Sequence, residues 1–205
     1  MKANDSIRFL AGASITTGYA NGSFKPYDSV TREQFSAFLA RGLIPVYKQK
    51  TAMPGGYAAN MTKQYTFRGS AGETIHTYKY VDKKMVGKNL GFVWESKNVN
   101  NGSTDYYSQS ENKDALTSGQ PYSHSYIDLK YPIKVGQSWP LELNGDHTST
   151  ITKMNVTVKT PYKIFTNAVE VSSTRKYKMY YVQGIRNVKT IDPSGKVVSE
   201  LKSIK

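Results

Sequence analysis

Three histidines, fifteen acidic side chains and no cysteine limit the chemistry this chain can perform. Without a thiol there is no disulfide, no thiolate metal site and no cysteine nucleophile. His76, His124 and His147 stand in no His-Glu-x-x-His arrangement or other metal-ligand spacing. His147 follows Asp146 in Gly145-Asp146-His147-Thr148, the composition of a polar turn. Asp128 follows His124 by four residues, which on a strand separates them by about 13 Å on one face and rules out a dyad. Glycoside hydrolysis needs two carboxyls roughly 5–10 Å apart, one of them in an apolar setting. Only Glu95, beside Trp94, and Glu142, near Trp139, stand close to a tryptophan in sequence. Neither a Gly-x-Ser-x-Gly elbow nor a phosphate-binding glycine loop occurs. The chain therefore reads as non-enzymatic, with no catalytic residue, metal site or cofactor assigned.

Its aromatic and basic residues suggest binding instead. Trp94, Trp139 and the pairs Tyr106-Tyr107 and Tyr180-Tyr181 could form a sugar-stacking platform. The alternative is a core with an aromatic rim, which is the expectation here, and strand alternation lets only one of each tyrosine pair point inward. Net charge is +13, and Lys163 to Lys205 holds nine basic residues against three acidic ones. Such a field attracts polyanions without choosing among them. No nucleic-acid reading motif accompanies it, so nucleic acid is not the expected partner. A solvated lysine-rich surface that keeps a β protein soluble is the simpler reading of the same charge.

Two kinds of element must position these residues. Ala3, Ile7, Leu10 and Ala11 make one apolar stripe on a short helix, with Gly12 as its terminator. The chain then turns repeatedly from Ser14 to Ser29, through Asn21-Gly22 and Pro26. A second helix starts on a capping box, in which Thr31 and Gln34 exchange side-chain and main-chain hydrogen bonds. Phe35, Phe38, Leu39 and Leu43 are its expected buried stripe. Two such helices cannot bury both stripes alone, so the unit needs packing partners.

The segment Ile7 to Leu43, about a fifth of the chain, resembles one repeat of the S-layer homology family. The resemblance rests on Gly18-Tyr19, on Gly22-Ser23-Phe24-Lys25-Pro26, on Thr31-Arg32-Glu33-Gln34 and on Leu39-Ala40-Arg41-Gly42-Leu43. It implies an extracellular location at the bacterial cell wall or surface, and a possible anionic secondary wall polymer as partner. The N-terminus shows no basic stretch followed by an apolar run, so the resemblance implies a signal peptide already removed. It also implies that Arg32 faces an anionic sugar group, which a guanidinium can hold by two parallel hydrogen bonds. Gly18 and Gly22 would serve backbone conformation, with any ligand contact through main-chain amides. Gln34 stands where the family usually has Glu and keeps the capping geometry without the charge. No second set of these motifs follows Leu43.

Residues 44–63, with Pro45 and Pro54-Gly55-Gly56, read as a linker. From residue 64 to 205 the texture is short runs of Thr, Tyr, Val and Ile. Strands are predicted at 65–68, 74–81, 85–97, 104–111, 124–129, 149–159, 168–173, 177–182, 186–191 and 196–204, an antiparallel meander. Asp192-Pro193-Ser194-Gly195 and Asn100-Asn101-Gly102-Ser103 are hairpin turns by composition. Gly87 and Gly91 in one predicted strand suggest a bulge or bend. No window approaches the 18 or so apolar residues of a membrane span, so no transmembrane segment is expected. Between Tyr131 and Leu201, the runs Tyr131-Pro132-Ile133-Lys134-Val135-Gly136-Gln137-Ser138-Trp139 and Tyr180-Tyr181-Val182-Gln183-Gly184 resemble β domains of uncharacterised secreted proteins of Gram-positive bacteria. Such domains usually have a second glycine two positions after Gly184, where this chain has Arg186. The expected fold is thus α+β, a helix-loop-helix unit (1–43), a linker (44–63) and an all-β antiparallel domain (64–205) of curved-sheet or half-barrel form. The leading expectation is a wall-associated surface protein whose β domain binds an extracellular partner or anionic polymer. A carrier of an apolar ligand on the curved sheet and a wall-glycan hydrolase are the alternatives. Met154, Val156 and Val158 on one strand, with Tyr177, Met179 and Tyr181 on another, lead us to expect a filled concave face without a large apolar cavity.

Overall fold

The computed structural model describes residues 3–13, 15–16, 24–25, 27–43, 55–141 and 147–205. Two helices, α1 (Ala3–Gly12) and α2 (Arg32–Leu43), precede twelve strands. The first six are β1 (Gln64–Gly69), β2 (Gly72–Met85), β3 (Lys88–Asn98), β4 (Thr104–Glu111), β5 (Ala115–Gly119) and β6 (Ser125–Lys130). The rest are β7 (Ser138–Pro140), β8 (Thr148–Lys159), β9 (Ile164–Ser173), β10 (Lys178–Val182), β11 (Arg186–Ile191) and β12 (Val197–Ile204). The α+β class and the antiparallel β domain expected from the sequence are what the structure has.

All twelve strands form one sheet in the order β6-β5-β4-β3-β2-β1-β12-β11-β10-β9-β8-β7. Sequence neighbours pair antiparallel, and β1 pairs with β12, so the meander curls until its first and last strands meet. The remaining seam lies between β6 and β7. Across it the Ile127 amide donates to the Leu141 carbonyl at 3.4 Å. The Trp139 indole Nε1 donates to the Ile127 carbonyl at 2.9 Å. The half-barrel is therefore nearly closed, which removes most of the exposed sheet edge.

Local sequence explains the turns and bends. Val86 and Gly87 both have positive φ, 51° and 74°, and form a two-residue turn that cuts the predicted strand 85–97 into β2 and β3. Gly91, at φ 69°, sits where the β2–β3 register slips, the bend its type suggested. The Asp192 carboxylate accepts from the amides of Ser194 and Lys196, both at 2.9 Å, fixing the β11–β12 hairpin. Strands β5 and β7 had escaped the sequence reading. Four of the five residues of β5 are buried, on both faces and without alternation, and β7 has three residues ending in proline.

Inside the barrel lie two packed clusters. Leu116, Leu129, Trp139, Ile151, Val171 and Tyr181 anchor one. Tyr65, Trp94, Phe165, Val188 and Leu201 anchor the other. Met154, expected inside with Val156 and Val158, is exposed instead. The register between β8 and β9 slips between Lys153 and Val156, and Asn155 takes φ 53°, which changes the strand's phase at that point.

A strap also enters the barrel. Gly56 to Ala59, read from sequence as the end of a linker, is buried, with Tyr57 and Ala58 in the first cluster and Ala59 in the second. Buried backbone requires partners. The Glu111 carboxylate supplies them, accepting from the amides of Tyr57 at 2.6 Å and Ala58 at 3.2 Å and from the Tyr131 hydroxyl. Gln109 Oε1 accepts from the Ala59 amide at 2.9 Å. The Gly184 amide donates to the Gly56 carbonyl at 2.9 Å. A Cβ at Gly56 would collide with the Glu111 carboxylate, so the strap passes only because that residue has none.

Glu200 bridges three neighbouring strands. Its carboxylate takes Arg68 Nη2 at 2.8 Å from β1 and Lys189 Nζ at 3.2 Å from β11. Burial works to raise its pKa, but the hydrogen bonds from Arg68 and Lys189 outweigh that and hold it below the ordinary carboxylate value.

Candidate functional site

The helical unit presents Arg32 as the first residue of α2, exposed to solvent. The capping box forms as read from sequence: the Thr31 amide donates to Gln34 Oε1 at 3.0 Å and the Gln34 amide to Thr31 Oγ1 at 3.2 Å. This fixes the backbone from which Arg32 projects. Gly18 and Gly22 lie outside the described residues. Arg41 Nη1 donates to the Ile15 carbonyl at 3.0 Å, tying α2 to the chain beyond α1. The expected apolar stripe of α2 is not buried: Phe35, Leu39 and Leu43 are exposed. The described chain has no third element to cover them, in line with a unit that needs packing partners. On α1 the Phe9 ring lies 5.4 Å from Phe92 and 6.3 Å from Tyr80, so α1 rests on the β2–β3 hairpin.

A second site lies within the barrel, beside Arg186. That residue opens β11 with φ 77°, a conformation suited to glycine and costly for other side chains. From there the guanidinium crosses the lumen to β5 and β6. Nε and Nη2 reach Asp128 Oδ2 at 3.2 and 3.1 Å, and Nη2 donates to Ser118 Oγ at 2.7 Å. Its central carbon lies 5.0 Å from the centre of the Tyr107 ring, within cation–π range. The Tyr107 ring stacks in turn on Trp94, 6.1 Å between centres and 8° from parallel.

His76 completes the group. Its Nδ1 is 3.1 Å from the Tyr107 hydroxyl and its Nε2 is 2.9 Å from Thr74 Oγ1. Burial, and then the Arg186 charge, push the His76 pKa down to about 4, so the ring is neutral at neutral pH. Burial raises the Tyr107 phenol to about 12, keeping it protonated. Together these groups border a cavity of ≈ 180 Å³, walled also by Tyr65, Phe67, Asn187, Thr190 and Ser199. Arg186 keeps 23% of its side chain accessible because it faces this cavity.

The other residues singled out by sequence are dispersed. The His124 ring hydrogen-bonds its neighbour Ser123, and Asp128 serves Arg186 instead. His147 accepts from Arg175 Nε at 2.8 Å. Glu95 pairs with Lys79 at 2.7 Å, while Glu142 and Asp146 lie outside the described residues. Trp94 and Trp139 are both buried core residues. Of the tyrosine pairs, Tyr107 and Tyr181 are the interior members; Tyr106 lies under Lys83, and Tyr180 bonds Glu170. Among the described residues no cluster of three His, Asp or Glu side chains could hold a metal ion. No helix there is long and apolar enough to cross a membrane.

The family model of the S-layer homology domain matches residues 1–36. Neither a curated protein nor a solved structure matches the chain. S-layer homology domains bind secondary cell-wall polymers, and their presence marks a cell-wall-associated surface protein. The match lies in the N-terminal unit and leaves the barrel unaddressed.

Proposed function

We propose that the chain is a non-enzymatic protein of the extracellular wall surface, in which the α2 N-terminus contacts an anionic secondary wall polymer and the barrel offers a basic surface to an extracellular partner or polymer. The S-layer homology match carries this reading. Arg32 supports it: the guanidinium is exposed, and the capping box presets the backbone that bears it. The net charge of +13 adds a long-range attraction to any polyanion. The lumen gives the apolar-carrier alternative little room. Its cavity of ≈ 180 Å³ is below the roughly 300–1,000 Å³ of pockets for drug-sized ligands, too small for a long acyl chain, and its wall includes Arg186 and Asn187.

Sedimentation with purified anionic wall polymer tests the proposal. Association should be clear at low salt and largely lost near about 0.5 M, where screening shortens to a few ångströms. Arg32→Ala should weaken it more than a Lys→Ala change on the barrel surface. Retention unchanged at high salt contradicts the electrostatic account, and equal effects of the two substitutions contradict a specific role for Arg32.

A further inference from the structure

We propose that the cavity beside Arg186 is a binding site for one neutral sugar ring, either free or at the end of a glycan chain. It goes beyond wall association through α2 and involves a separate part of the molecule, so either reading can fail alone.

The argument starts from charge. Arg186 is balanced by its ion pair with Asp128, and His76 carries no charge at neutral pH. The site is therefore close to neutral, and a charged ligand would find no unpaired counter-ion in it. Neutral does not mean apolar. Asn187, Thr190 and Ser199 border the cavity with groups that can both donate and accept, and Arg186 adds a donor whose charge is already compensated.

Shape narrows the class further. Aromatic rings, Tyr107 and Phe67 among them, form part of the same wall. A ligand that suits both has hydroxyls around its rim and C–H bonds on its faces, which is the character of a pyranose. A cavity of ≈ 180 Å³ suits a small ligand such as one ring and not a chain.

The backbone supports a selected site. Arg186 holds φ 77° where a glycine would be relaxed, and the strain is maintained by the ion pair and the stacking on Tyr107. That combination places a guanidinium in the lumen at a cost to the fold.

The stacked Trp94–Tyr107 pair offers a built-in reporter. Glucose, N-acetylglucosamine and a trimer of the latter should be titrated against the Trp139→Phe protein, where Trp94 is the sole source of indole emission. Calorimetry on the unaltered protein serves as the parallel measurement should that variant fold poorly. We expect saturable binding with a Kd of roughly 0.1–1 mM for at least one sugar. Asn187→Ala and Ser199→Leu should each weaken it by about tenfold or more while the fold is retained. Preference for the trimer assigns the ring to a chain end; preference for the monomers assigns it to a free sugar. No binding of any of the three, binding unaffected by both substitutions, or binding of acetate or phosphate in preference to the sugars overturns the proposal.

Discussion

Arg186 Nε and Asp128 Oδ2 meet at 3.2 Å although their strands, β11 and β6, are far apart in the sheet order. The pair is a strut across the lumen, not a rung between neighbouring strands. Removing one partner leaves the other charge uncompensated in a largely buried site, which typically costs about 3–5 kcal/mol. Urea unfolding of Asp128→Asn and Arg186→Met should show losses of that order, and the double substitution should recover much of the sum. Single losses under about 1 kcal/mol would mean that solvent already screens the pair.

The strap gives a second test. Gly56→Ala drives a methyl group into the Glu111 carboxylate, and overpacking of this kind costs about 1–3 kcal/mol. Glu111→Ala relieves the crowding but leaves the Tyr57 and Ala58 amides without acceptors, about 1–3 kcal/mol for each buried donor. Both variants should lower the thermal midpoint. The combined variant should cost less than the sum, because the clash needs Glu111. Full additivity would contradict the contact.

His76 makes stability depend on pH in a defined window. Its pKa is 6.5 in the unfolded chain and about 4 in the fold. Between those values the unfolded chain binds a proton that the folded protein refuses. Stability therefore falls as pH drops from 6.5 to 4, by at most about 3 kcal/mol, and this contribution is constant below that. His76→Gln should flatten that part of the curve. An unchanged slope in the variant would assign it to other groups.

Glu200 acts lower on the pH scale. Its carboxylate is held below the ordinary carboxylate value, so it contributes stability at higher pH that is lost as pH falls through its folded pKa. Glu200→Gln should remove this acid-side loss while leaving the His76 window in place. A variant whose acid transition is unchanged would show that Arg68 and Lys189 do not hold the group.

Much of the architecture was legible in the chain. Alternating Thr, Tyr and Val marked most strands, and Asp192 to Gly195 and Asn100 to Ser103 marked their turns through well-understood side-chain and glycine preferences. Thr31 and Gln34 announced the start of α2 because capping is a local matter. The lumen group was not legible, because Arg186, Asp128 and Tyr107 converge only when distant strands close. Sequence does single out Arg186 as an arginine at a position where the resemblance has glycine, and its φ of 77° is a conformation that favours glycine. The burial of Gly56 to Ala59 escaped for a related reason: a Pro/Gly-rich stretch reads as linker unless its hydrogen-bond acceptors, here Glu111 and Gln109, are known.

The pairing of β1 with β12 has a mechanical meaning for a protein attached to a wall. Gln64 and Lys205 exchange two main-chain hydrogen bonds at 3.0 Å, so the barrel's first and last residues sit together at one end of the same ladder. Tension applied between these two points does not shear the ladder; it opens it from that end, one bonded pair at a time, as a zipper opens. The seam at β6 and β7 lies elsewhere in the sheet and carries none of that load directly. A barrel pulled this way yields at low force and by small steps, and releasing the tension leaves β1 beside the strand it must rejoin.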